Sequence, residues 1–378
     1  MMFENGINDT EENENNFNWP KRRRRNIFST LDSESESVEN DAENTNCNIT
    51  WISENFMPQI HIFSTRNSGI KKKLPRSSSI LDYFELFFSE ELVQYIADET
   101  NNYRAQKSND SRRTLLFFAL SLLMTRNKKL TIQEYWLKDK YLRSNIFAEI
   151  MTKDRYLSLL STIHFTHDSG HTDDRLVKIR DVVNMFRKSF NDAFHPFQDL
   201  CIDESLMLYK GRLSFRQYIP SKRNRFGIKS FMLCDCKTGC VQDVIVYCGR
   251  STTIESAARG IGKSGAIVLS LLRPFLGNGH TIYLNNFYSS PGLFNLLHNN
   301  SINACGTVSK RRQGMPKFEK HLKKGEVCFG SSNSLLAMKW LDKKEVYKLQ
   351  LCIRQILQPC LDVEDYRVLL SLYVLLIT

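Results

Sequence analysis

A chain of 378 residues, 42% hydrophobic and 11% aromatic, has material for two or three domains and a sizeable core, which excludes a wholly disordered chain. The net charge is +11, yet residues 1–50 hold 11 acidic against 5 basic residues, so a net of −6 there leaves +17 for the remainder. A basic body behind an acidic arm points to a polyanionic partner, most simply nucleic acid, with a solvated basic surface as the plain alternative.

No run approaches the roughly 18 apolar residues of a membrane span, and the acidic, polar N-terminus does not read as a leader, so no membrane partner is expected. Ten cysteines in such a chain suit a reducing compartment. Cys234, Cys236, Cys240 and Cys248 cluster, but their spacing is not that of a zinc finger or ribbon. Free buried thiols are expected rather than zinc.

In chain order, residues 1–79 are rich in Asn, Glu and Ser and lack periodic apolar positions, which predicts a disordered arm. It carries the basic run Lys21, Arg22, Arg23, Arg24 and Arg25, an import signal that would place the protein in the nucleus. Residues 80–197 show helical periodicity and are expected to form a mainly α-helical region. Helices are predicted from about Ser89, over 114–124, at 146–150 and 153–163, and over 177–194, with Thr131 capping a further turn.

From Gln198 the period shortens. Strands are predicted at 200–203, 227–234 and 241–248, then a helix at 264–275, a strand at 280–284, a helix at 291–298 and a strand at 304–308. The order β-β-β-α-β-α-β is that of an α/β, RNase H-like core, in which the first and fourth strands lie side by side. Their C-terminal ends would bring Asp203 and Asn285 together. Paired carboxylates at such a place hold the two divalent cations of a phosphodiester-cleaving centre, and hard Mg2+ prefers anionic oxygen. Asp203 suits that role as catalytic residue and metal ligand; Asn285, a neutral amide, does not. Beyond Asp203 the basic residues Lys210, Arg212, Arg216, Lys222, Arg223, Arg225 and Lys229 alternate with Tyr209, Phe215, Tyr218 and Phe226, a pattern suited to gripping DNA phosphates or, more plainly, to a basic loop packed by its own aromatics.

These features carry a resemblance to a known family. Residues 82–88 (Asp-Tyr-Phe-Glu-Leu-Phe-Phe), 99–103 (Glu-Thr-Asn-Asn-Tyr), 134–136 (Glu-Tyr-Trp), 202–205 (Ile-Asp-Glu-Ser), 210–212 (Lys-Gly-Arg), 218–222 (Tyr-Ile-Pro-Ser-Lys) and 286–290 (Asn-Phe-Tyr-Ser-Ser) together resemble piggyBac-type transposases and the domesticated proteins derived from them. The likeness spans about 80–349, and residues 309–349, with Trp340–Val346, resemble the start of the strand-rich insertion of that family's core. It implies a DDE-type core with three metal-binding aspartates, a helical dimerisation and DNA-binding region, and insertion of transposon DNA at TTAA. Asp203 falls on the first aspartate and Asn285 on the second. The third belongs to a Gly-Gly-Val-Asp run not found here, so the partial core over 198–308 is expected to be incomplete. Residues 350–378 depart from the family pattern, and nothing around Asp362 or Asp365 resembles the missing motif. The implied function is a catalytically inactive DNA-binding protein, homodimeric or paired with a related transposase, its ancestral Mg2+ site no longer functional. An active transposase completed by a full-length partner, and a remnant without function, are the alternatives.

Overall fold

The computed structural model describes residues 49–351, apart from 53–58, 66–67, 105–108, 167–172, 221, 223–224, 255–259, 333 and 342. The basic run 21–25, Arg223, and Asp362 and Asp365 lie outside the described residues.

The strand β1 (Gly69–Ile70) pairs antiparallel with β2 (Phe194–His195), and between them runs the helical region. It comprises α1 (Ile80–Glu85), α2 (Glu90–Arg104), α3 (Ser111–Arg126), a 3-10 turn at Ile132–Trp136, α4 (Asn145–Ile150), α5 (Lys153–Thr162) and α6 (Arg180–Ala193). Local chemistry sets several starts. Ser79 and Asp82 form a reciprocal capping box on α1, and the Asp110 carboxylate accepts from Arg113 N at 2.7 Å. That cap is why α3 begins three residues before the expected Thr114. Thr131 makes no cap; its hydroxyl donates to Glu134 Oε1 at 3.0 Å, and the turn closes as a 3-10 helix.

The central sheet contains β3 (Asp199–Leu208), β4 (Gln217–Tyr218), β5 (Phe226–Asp235), β6 (Val241–Val246), β7 (Thr281–Leu284), β8 (Asn303–Thr307), β9 (Val327–Ser331), β10 (Leu336–Leu341) and β11 (Glu345–Gln350). Helices α7 (Gly262–Leu272) and α8 (Pro291–Asn299) make the crossovers. The order runs β4-β5-β3-β7-β8-β11-β10-β9, with β6 also on β5. β5 is antiparallel to β3 and β6, whereas β7 and β8 run parallel to β3. This is the RNase H-like arrangement, with the first and fourth strands adjacent. β9, β10 and β11 extend the same sheet beyond β8.

The two faces of the sheet are covered differently. Leu200, Ile202, Phe231 and Leu233 pack under α7 and α8, while Met232, Cys234, Val241 and Val244 join the aromatic core of the helical region. Alternation along β3 and β5 assigns neighbouring residues to opposite layers. Helix α6 is fixed to β6 by a bidentate ion pair, Arg187 Nε–Asp243 Oδ1 2.5 Å and Arg187 Nη2–Asp243 Oδ2 2.8 Å, with the Asp243 side chain 4% exposed.

The described part of the supposed disordered arm lies on the core. Trp51 Nε1 donates to the Gly314 carbonyl at 2.9 Å, and Ile52 forms a two-way bridge with Ser331. The amide of Asn303 brackets His61, accepting from its N–H and donating to its carbonyl, both at 3.0 Å. Scattered anchors of this kind leave no periodic trace in the sequence.

Candidate active-site edge

β3 continues through Leu208 because β5 pairs with it as far as Leu208↔Gly227, so Glu204 is inside the strand rather than beyond its end. β7 stops at Leu284, and the chain turns through 285–290 into α8. The Asn285 carbonyl accepts from Tyr288 N (3.2 Å), Ser289 N (3.2 Å) and Ser289 Oγ (3.0 Å), and Ser290 caps α8 through Leu293 N at 3.2 Å. Tyr288 is fully buried, edge-on to Phe231. The Asn-Phe-Tyr-Ser-Ser run is therefore a stitched turn that fixes the Asn285 side chain.

Asp203 and Asn285 do meet. Asn285 Nδ2 donates to Asp203 Oδ1 at 2.8 Å, and the same oxygen accepts from Glu204 N at 2.9 Å. The amide orientation follows from its other end, because Asn285 Oδ1 accepts from Phe287 N at 2.9 Å. Burial, and then the charge of Glu204, push Asp203 up to about 6. Glu204 moves the other way: against its own burial, the Asp203 carboxyl, Lys222 and Lys229 hold it low, and Lys222 Nζ lies 3.6 Å from Glu204 Oε1.

The donor set does not fit a two-cation centre. Asn285 turns its nitrogen, not its oxygen, toward Asp203, and Glu204 is matched by a lysine. Among the described residues no group of three or more His, Cys, Asp or Glu is arranged to hold a metal ion.

The basic residues separate into distinct settings. Lys210, Arg212 and Arg225 are exposed on the segments flanking β4. Arg216 instead braces its own loop, donating to the carbonyls of Lys210 (3.1 Å) and Gly211 (3.0 Å) with its guanidinium over Phe226. Lys222 serves Glu204, and Lys229 sits among the rings of Phe231, Tyr247 and Phe287 at 5.2–5.6 Å. Of the interleaved aromatics, Phe215 is buried and Tyr209 packs beside it, whereas the rings of Tyr218 and Phe226 meet tilted at 4.6 Å and stay exposed. Arg312, which the sequence did not single out, donates from Nη2 to the carbonyls of Asn286 and Phe287 and so clamps the turn beside Asn285. Its place in a Lys-Arg-Arg run was the available signal.

The transposase IS4 family matches residues 80–362 of the chain. The human piggyBac transposable element-derived protein 2 is 22% identical over 316 residues, covering 78% of this chain and 52% of that protein. The human piggyBac transposable element-derived protein 3 is 24% identical over 245 residues, covering 61% of this chain and 40% of that protein. The chain thus spans about half the length, or less, of these curated relatives. A cryo-EM structure of a piggyBac transposase synaptic complex with hairpin DNA shares the fold, with a TM-score of 0.67 and 23% identity over 77% of this chain and 65% of that one. The chain belongs to the transposase IS4 family, within its piggyBac-type group.

Proposed function

We propose that this chain is a piggyBac transposase-derived DNA-binding protein that does not cut or join DNA. The Asn285 amide carries the reading: its nitrogen donates to Asp203 at 2.8 Å where phosphodiester chemistry would need a second anionic oxygen. Binding without cleavage leaves the positive surface as the working part. Lys210, Arg212 and Arg225 are its exposed members beside the site, and the relative solved as a synaptic complex holds hairpin DNA. The run Lys21–Arg25 supplies nuclear import in this reading, and the helical region supplies pairing with a second copy or with a related transposase.

The test has two arms. Purified protein titrated with duplex DNA should bind with a steep salt dependence, and replacing Lys210, Arg212 and Arg225 with Gln should flatten the log–log slope by about 0.9 for each phosphate no longer neutralised. An unchanged slope sinks the DNA reading of this surface. In the second arm, DNA ends with Mg2+ or Mn2+ should yield no strand transfer. Activity that disappears with Asp203→Ala would show that catalysis survives.

A further inference from the structure

Three thiols converge on the face of the sheet that meets the helical region. Cys201 on β3 stands directly across from Cys234 on β5. The ladder continues one step beyond β5, where Cys236 N donates to the Asp199 carbonyl at 2.9 Å. Interaction with the Cys234 and Cys236 thiols pulls the Cys201 thiol below its ordinary pKa. All three are free thiols; Cys234 is 2% exposed within the aromatic core, and Cys201 and Cys236 are half-buried.

Spacing separates the two possible pairings. Directly opposed residues of antiparallel strands have Cα atoms about 4.5–5.5 Å apart, inside the roughly 4.4–6.8 Å that a disulfide spans. Diagonal neighbours stand about 7–8 Å apart, outside it. Cys201 and Cys234 can be joined with little backbone movement, whereas Cys201 and Cys236 cannot.

We propose that Cys201 and Cys234 form a reversibly oxidisable dithiol that cross-links β3 to β5 two residues before Asp203. A hydroperoxide is the oxidant. It reacts at the partly buried Cys201 rather than at the buried Cys234: Sγ attacks the terminal peroxide oxygen, the O–O bond breaks, and an alcohol (or water) leaves as Cys201 becomes a sulfenic acid. Cys234 Sγ then attacks Cys201 Sγ, the S–O bond breaks, and the hydroxyl departs as water with the Cys234 proton. Two thiols lose two electrons in all, and one peroxide becomes alcohol and water. A small thiol such as glutathione reverses the link by exchange. The oxidised state fastens the strand that carries Asp203 to its neighbour from the helical-core side, independently of whether the chain binds DNA.

The experiment uses the full chain. Native protein is treated with hydrogen peroxide, alkylated, and digested without reduction by a protease cutting before aspartate, which parts Cys234 from Cys236 at Asp235. The Cys201 fragment should appear joined to the Cys234 fragment, lighter by two hydrogens, and should separate on reduction. Cys201→Ser should abolish the link, and Cys236→Ser should keep it. Peroxide-treated wild-type protein in urea should lose the selectivity for this pair. Cys201 that remains fully alkylatable after peroxide, or that links to Cys236 instead, overturns the proposal, and the wild-type map alone decides this if a variant fails to fold.

Discussion

Asn285 Nδ2 lies 2.8 Å from Asp203 Oδ1, and this hydrogen bond joins the middle of β3 to the residue that follows the end of its parallel neighbour β7. In a two-metal centre, cations would hold two carboxylates together at this place. Here an amide does so directly, with its oxygen already engaged by Phe287 N. The arrangement satisfies one partly buried carboxylate without any ion, since a carboxylate that accepts two N–H bonds needs less from solvent.

Restoring the acid should therefore cost stability. Asn285→Asp removes the donated hydrogen bond and sets two carboxyls against each other, a loss of about 2 kcal/mol in chelator. Millimolar Mg2+ or Mn2+ should recover much of that loss in the variant and leave the wild type unmoved. Thermal melts of both proteins with and without metal check this; a variant indifferent to metal would mean that Asp203 and residue 285 cannot share an ion.

The pH dependence follows from Asp203. Burial first, and the Glu204 charge second, raise it from 3.8 to about 6. Between those values the folded chain keeps a proton that the unfolded chain has released, so stability falls as pH rises through the window and is level above it. Over the part of the window above about pH 4.5 the fall is on the order of 2 kcal/mol, and the opposing shift of Glu204 acts at lower pH. Asp203→Asn should remove this slope, so the variant gains on the wild type at neutral pH relative to about pH 4.5. Denaturant melts across that range read the difference, and parallel pH profiles would contradict it.

Much of this site was legible because the relevant signals are local. Short apolar runs leading to Asp203 and to Leu284, with a crossover helix before the second, suffice to bring these two positions onto neighbouring strands. The extent of β3 was not legible, since residues 204–208 are held by pairing with β5 rather than by a pattern of their own. The basic run predicted charge but not its use: Arg216 is taken up by the carbonyls of its own loop, and Lys222 and Lys229 by a carboxylate and rings that the fold brings to them. Arg312 acts on a turn 25 residues away, a relation that only tertiary structure creates.

The ion pair between α6 and β6 offers a test of how the helical region is held to the sheet. Arg187→Ala leaves the Asp243 carboxylate, 4% exposed, without its bidentate partner and should cost about 3–5 kcal/mol. Arg187→Met combined with Asp243→Val removes both charges and should recover most of that loss. Equilibrium unfolding of the single and double variants measures the pair; a double variant as weak as Arg187→Ala would assign the loss to packing instead.

Two glycines near the site should respond in opposite directions to alanine. A Cβ on Gly306 would lie 2.7 Å from Ser289 Oγ and press on the Leu284 carbonyl, at the point where β8 closes on the turn holding Asn285. Gly306→Ala should cost about 1–3 kcal/mol, and by shifting that turn it should also weaken the pH slope assigned to Asp203. Gly292 lies in α8, where the nearest atom to a new Cβ is the Gly260 carbonyl at 3.7 Å, an ordinary approach. Gly292→Ala should stabilise by about 0.4–1 kcal/mol, because alanine reduces the freedom of the unfolded chain and suits a helix better. Melts of both variants, with a pH series for Gly306→Ala, test the close approach of β8 to the turn; equal and small effects at the two positions would mean that the strand has room to yield.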